Sequence, residues 1–94
     1  MEFKDRDLEA FWEDPDANPP RRVPSQLRRV VYRKLQMIDA ATDLRDLRIP
    51  PSNHLEKLQH DRFGQHSIRV NDQWRLCFTW TPEGVKGVEF CDYH

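Results

Sequence analysis

The side chains able to do chemistry in this sequence include four histidines and two cysteines, all in the second half, with carboxylates and arginines among them, ending in Asp92-Tyr93-His94. Metal binding is the first use to test, and the spacing argues against it. His54, His60, His66 and His94 stand six or more residues apart, Cys77 and Cys91 fourteen apart, and no His-Glu-x-x-His occurs. Ser25, Ser52 and Ser67 lack the nucleophile-elbow setting of a Ser-His-Asp hydrolase. What these residue types do suit is phosphodiester cleavage without a metal or other cofactor. Attack by the 2′-hydroxyl of RNA needs a base to take its proton, an acid to protonate the departing oxygen, and cations to stabilise charge gathering on the phosphate. His94, Asp92, Glu56 and His54 are the candidates for proton transfer. Arg69, Arg75, Lys57 and Arg62 are the candidates for phosphate, and Tyr93 can stack on a base. The same residues have a plainer reading, in which Arg69 and Arg75 are solvated strand residues and His94 a frayed terminus. Composition leaves both open.

Several elements must position these groups. From His66 to His94, Ile68 and Val70 alternate with Ser67, Arg69 and Asn71, and Trp74, Leu76, Phe78 and Trp80 alternate with Arg75, Cys77 and Thr79. This period of two predicts strands with one apolar face. Asn71-Asp72 and Pro82-Glu83-Gly84 supply the reversals, so the segment reads as a three-stranded antiparallel meander. Upstream, His54-Leu55-Glu56-Lys57-Leu58 is a candidate strand after the rigid Pro50-Pro51-Ser52-Asn53 loop. Its alternation predicts His54 and Glu56 on one face, with Leu55 and Ile49 pointing inward.

The apolar side of this sheet needs a cover. Leu27, Val30, Val31, Leu35 and Ile38 form a stripe at helical spacing between Pro24 and Ala41, with Arg28, Arg29, Arg33 and Lys34 spread over the other faces. Leu8, Phe11 and Trp12 mark a shorter helix, capped by Asp5 or Asp7 and stopped by Pro15, with Phe3 in a brief strand before it. The segment from Asp14 to Arg22 has three prolines and no apolar periodicity, and reads as an irregular, mobile connection that ends in a basic pair, Arg21-Arg22. The expected architecture is α+β: two N-terminal helices packed on one face of an antiparallel sheet, in a single domain over residues 1–94.

Ninety-four residues allow one core and no deep cofactor cleft, so any activity belongs to the surface. No apolar run suits a membrane span and no signal-peptide pattern opens the chain, which predicts a soluble cytoplasmic protein with Cys77 and Cys91 as free thiols. The formal net charge of −1 conceals a division, with two basic against seven acidic residues in 1–20 and thirteen against nine in the remainder. A basic body behind an acidic front is compatible with a polyanionic partner.

The run Ser67-Ile68-Arg69-Val70-Asn71-Asp72-Gln73-Trp74-Arg75-Leu76-Cys77-Phe78, followed by terminal Asp92-Tyr93-His94, resembles the HigB-type toxins of bacterial type II toxin–antitoxin systems, a branch of the RelE/ParE superfamily. Phe3-Lys4-Asp5, the Leu-x-x-Ile-Asp-Ala-Ala-Thr pattern from Leu35 to Thr42, Leu55-x-x-Leu58 and Asp61-Arg62 extend the resemblance over nearly the whole chain. It implies a RelE-like fold and a small, metal-independent ribonuclease that cuts messenger RNA in the ribosomal A site. It also implies neutralisation by a separately encoded helix-turn-helix, HigA-like antitoxin, with operator DNA reached only through that partner. Asp92, Tyr93 and His94 carry over as active-site residues and Arg75 as a phosphate contact. Where some members place a catalytic histidine this chain has Glu56, with His54 beside it, so the second proton-transfer group lies between those two. The alternative from the same superfamily is a ParE-like toxin that binds a protein target such as DNA gyrase and cuts nothing.

Overall fold

The computed structural model describes residues 1–92; the functional expectations placed on Tyr93 and His94 lie outside the described residues. Helix α1 spans Arg6–Glu13 and begins where Asp5 Oδ1 accepts from the backbone N–H groups of Asp7 (3.1 Å) and Leu8 (3.2 Å). That is the ordinary way of satisfying the donors left over at a helix start. Leu8 and Phe11 turn inward and are buried.

Helix α2 spans Arg28–Ala40, preceded by a 3-10 turn over Ser25–Leu27 that takes up the first residues of the expected helix. Val31, Leu35 and Ile38 are fully buried at the spacing of one helix face. Lys34 lies between them and is buried too, which corrects its expected place on an outward face. A 3-10 turn over Leu44–Arg48 follows, held by Asp43 and Asp46 in a reciprocal cap. At three residues per turn Leu44 and Leu47 share the inward side, and Ile49 beyond them is 76% exposed rather than pointing inward as expected.

The sheet has four antiparallel strands in chain order: β1 (Glu56–Lys57), β2 (His66–Arg69), β3 (Trp74–Thr81) and β4 (Gly84–Asp92). Ile68 pairs with Leu76 and Leu76 with Phe90, so one face collects the apolar side chains, joined by Trp74 stacked on Phe90 at 4.5 Å. Asn71 Oδ1 accepts from the N–H groups of Gln73 and Trp74 to shape the β2–β3 reversal. Gly84, at φ +129°, turns the chain into β4, a conformation open to glycine and strained for other residues. Phe3 forms a parallel bridge with Val88, so the first residues extend β4's far edge.

Residues from both helices and the sheet's apolar face share one core. Each buried Leu, Ile or Phe contributes about 1.5–3 kcal/mol relative to exposure. The connection from Asp14 to Arg22, expected to be mobile, is fastened at several points. Asn18 donates to the Ala10 carbonyl, the Arg21 N–H to Asp7 Oδ2, and the Arg22 guanidinium to Asp5 and to the Phe90 carbonyl, with Val23 buried just beyond.

Candidate active-site cleft

On the face of the sheet away from the helices, a cleft of about 340 Å³ is bounded by β1, the ends of β3 and β4, and a 3-10 turn over His60–Arg62. Its central residue is Arg75. Alternation places it opposite the core, but only 4% of it is exposed, so it is neither a core residue nor a solvated strand residue. Its Nε donates to Ser67 Oγ at 2.6 Å and its Nη2 to the His54 carbonyl at 2.5 Å, while Nη1 lies 3.8 Å from Glu56 Oε1. A planar guanidinium with several donors in fixed directions can bridge three such groups, which lysine cannot do. Arg75 therefore ties β3 to β2 and to the segment entering β1, and presents its remaining edge to the carboxylate on the cleft wall.

Glu56 is half-exposed and faces the same side as Ser67, its partner across the β1–β2 pair. Asp92 ends β4 opposite Trp74, receives a 3.4 Å hydrogen bond from the Gln73 side-chain amide, and borders the cleft. Arg75, Glu56 and Asp92, which the sequence places on three separate segments, are thus gathered around one space.

Arg62 also borders it, but its Nη1 donates to Glu89 Oε1 at 2.6 Å and to Gln65 Oε1 at 3.1 Å. Burial raises the Glu89 pKa, yet the Arg62 hydrogen bond and charge, with help from Lys4, outweigh it and hold the carboxyl below its ordinary value. This pair fastens the 3-10 turn to β4, so much of the Arg62 charge is spent inside the protein.

Other expected site residues are dispersed. His54 is not part of the strand. It adopts a left-handed conformation (φ 44°) after the 3-10 turn Pro51–Asn53, and β1 shrinks to two residues. The expected shared face of His54 and Glu56 is therefore wrong, because alternation starts only at Glu56; His54 is exposed, and the part it contributes to Arg75 is its backbone carbonyl. Lys57 pairs with His66, so its side chain leaves the sheet opposite to Glu56, and it touches both the cleft rim and a second hollow beside His66. Burial lowers the His66 pKa, and the Lys57 charge adds to the effect. Arg69 is paired across the sheet with Arg75, yet lies outside the cleft and binds Asp72 within its own turn.

Two features of the cleft were not anticipated. His60, in a left-handed conformation (φ 56°), borders it from the 3-10 turn. Nothing in its spacing marks it, since its place depends on how that turn folds back over the sheet. Cys77 and Cys91 line the floor as free, buried thiols. They are diagonal neighbours across β3 and β4 and share a hydrogen bond that lowers the Cys77 pKa and raises that of Cys91, burial adding to the rise. Free, partly buried thiols were expected, and alternation placed Cys77 on the face of Arg75; what it missed was that the two thiols together floor a cleft.

A family model described as the RelE-like toxin of the type II toxin–antitoxin system HigB matches residues 1–94. The chain is 45% identical over 94 residues to Toxin HigB-1 of Vibrio cholerae serotype O1, covering all of this chain and 96% of that one. It is 39% identical over 92 residues to a Haemophilus influenzae protein, covering 98% and 88% of the two. Among solved structures it is similar to a YoeB–YefM complex from Staphylococcus aureus, at TM-score 0.59 and 22% identity over 99% of this chain and 93% of the other. A heterotetrameric YoeB–YefM toxin–antitoxin complex from the same organism gives TM-score 0.55 and 21% identity, over 95% and 85%. At that identity the structural likeness concerns the fold, which is the α+β arrangement expected from the sequence.

Proposed function

The chain belongs to the HigB family of RelE-like type II toxins, and from that premise we propose that it is a ribosome-dependent, metal-independent endoribonuclease that cuts messenger RNA in the A site. The observation that carries this reading is the meeting of Arg75, Glu56 and Asp92 at one cleft, Asp92 being the residue that precedes Tyr93 and His94 in the sequence. A carboxylate beside a guanidinium supplies a base next to a stabiliser of negative charge, which is the pairing that 2′-hydroxyl attack requires.

In the mechanism, Glu56 takes the proton from the 2′-hydroxyl as it attacks the adjacent phosphorus. Arg75 stabilises the charge that accumulates on the non-bridging oxygens. His94 protonates the departing 5′-oxygen, Asp92 orients that imidazole, and Tyr93 stacks on a base. The products are a 2′,3′-cyclic phosphate and a free 5′-hydroxyl. Glu56 is favoured over His54 as the base because Glu56 lies on the cleft wall whereas His54 is turned out of the strand. His60, on the cleft rim, is a further group within the same space.

A cleft this open holds a flexible strand poorly, so alignment for in-line attack is supplied by the ribosome. Similarity to toxin–antitoxin complexes supports a protein antitoxin as partner, a HigA-like helix-turn-helix protein that also carries the complex to operator DNA. The place of action is the cytoplasm, where the ribosomes are; no helix among the described residues is long and apolar enough to cross a membrane.

The test is single-turnover cleavage of mRNA on programmed ribosomes. Glu56→Gln, Asp92→Asn and His94→Gln should each slow cleavage by about two to four orders of magnitude, with ribosome binding retained. Full activity in the His94 and Glu56 variants, at equal soluble protein, would reject the assignment. A DNA-damage response without mRNA cuts would point instead to a gyrase-directed toxin.

A further inference from the structure

A separate cavity of about 450 Å³ opens between α2, the Pro51–Asn53 turn and the β2–β3 reversal. Arg33 and Lys34 of α2 line it, with Ser52, Arg69 and Asn71 across from them, and no Asp or Glu is among the lining residues. Val30, Met37, Pro50 and Val70 form the apolar part of this wall, and its polar part is hydrogen-bond donors and positive charge.

Lys34 is the unusual member. It is only 8% exposed, and among the described residues its polar partner is the neutral side-chain carbonyl of Asn53, whose own amide donates to the Leu47 and Ile49 carbonyls. A buried ammonium ordinarily sits against a carboxylate, because an uncompensated charge taken out of water is costly. Here burial lowers the Lys34 pKa, and the charge of Arg33 lowers it further. Among the described residues Arg33 forms no ion pair and Arg69 pairs only with the highly exposed Asp72. The Asn71 side-chain oxygen is already occupied by two backbone N–H groups, which leaves its amide hydrogens as donors. An anion in this cavity would meet a preformed cradle and relieve the repulsion within it.

We infer that the cavity is a second phosphate site, which seats a phosphodiester of the same RNA strand that is cut in the cleft. The inference rests on the ribonuclease reading above. What favours the cut strand is the cross-strand pair Arg69 and Arg75: one belongs to the cavity and the other to the cleft, so positive charge runs from one site to the other across β2 and β3. The chain as a whole carries a formal charge of −1, so attraction for a backbone must come from local clusters of this kind.

The experiment uses Arg33→Gln, a change at an exposed position, and Lys34→Met, which keeps the stem but removes the charge. In a Glu56→Gln background, which arrests cutting, each should weaken binding to mRNA-programmed ribosomes by about tenfold, the size of one charge-assisted contact. The salt dependence of log Kd should become shallower by about one unit. Without the Glu56 change, single-turnover cleavage at saturating protein should stay as in wild type. An mRNA carrying one neutral methylphosphonate beside the cut should reproduce the loss for wild type and add nothing to that of Arg33→Gln. Unchanged affinity and salt slope in both variants, while the Glu56→Gln parent still binds ribosomes, would overturn the inference; additive losses would overturn the assignment to the cut strand. If the parent does not bind ribosomes and wild type does not cut, the ribonuclease reading fails instead. The cavity is then judged by NMR of the Lys34 ammonium in free protein: saturable shifts with a short oligoribonucleotide, absent in Arg33→Gln, support a phosphodiester site, and no shift rejects it.

Discussion

Arg75 and Leu76 follow one another on β3, and both are buried, yet they point to faces of opposite chemistry. Leu76 enters a core closed by two helices, where dispersion and the hydrophobic effect act without direction. Arg75 is covered by a short edge strand and a polar segment, and its burial is tolerable because Ser67 and the His54 carbonyl receive its donors. One face is held by many interchangeable contacts and the other by a few irreplaceable ones. A face of the second kind tolerates little change and keeps charged groups at the surface of a cleft, which is what a reaction on phosphate needs.

That contrast can be broken from either side. On the covered face, Phe78→Ala should cost about 3–5 kcal/mol, measured by urea denaturation with an unchanged native spectrum for the fraction still folded. A loss below about 1 kcal/mol would mean that the core collapses around the gap. On the cleft face, Arg75→Met should cost about 1–3 kcal/mol by leaving the His54 carbonyl and Ser67 hydroxyl without their donor. It should also raise hydrogen exchange at Glu56 and Lys57, since the guanidinium fastens the approach to β1. A neutral outcome in both readouts would return Arg75 to the status of an ordinary surface residue.

A smaller effect separates the fastening of the cleft from its chemistry. Glu89→Gln weakens the bond to Arg62 and should lower stability by about 1 kcal/mol, given that the arginine is partly solvated. If cleavage falls much further than stability, the 3-10 turn and His60 must be positioned by this pair for the reaction itself.

The smallest effect expected is on the pH dependence contributed by His66. Its folded-state pKa lies below the ordinary 6.5 because burial and Lys57 disfavour the imidazolium. The unfolded chain then binds the proton more readily, so this group lowers stability as pH falls through 6.5 toward the folded value. The slope cannot exceed about 1.4 kcal/mol per pH unit for one proton. Subtracting the profile of His66→Gln from that of wild type should isolate it; an unchanged profile would show that His66 titrates alike in both states.

The alternation from His66 onward placed Ile68, Leu76 and Phe78 on one face and Arg75 and Cys77 on the other, and the stripe of α2 identified its cover. Those features were legible because they depend on residues two, three or four apart, where backbone geometry alone sets direction. Sequence alone likewise established the α+β class, a helix cap at Asp5 or Asp7, both hairpin reversals and the family resemblance that runs into Asp92-Tyr93-His94.

Other outcomes rested on contacts between distant segments. The His54 carbonyl meets Arg75 across 21 positions, Lys34 meets Asn53 across 19, and Arg62 meets Glu89 across 27. No local period can report which acceptor a buried cation will find. Nor can it report that β1 stops at two residues or that His60 is folded onto the rim. Tertiary structure decided these points because the cost of burying a charge or an unpaired polar group depends on everything packed around it.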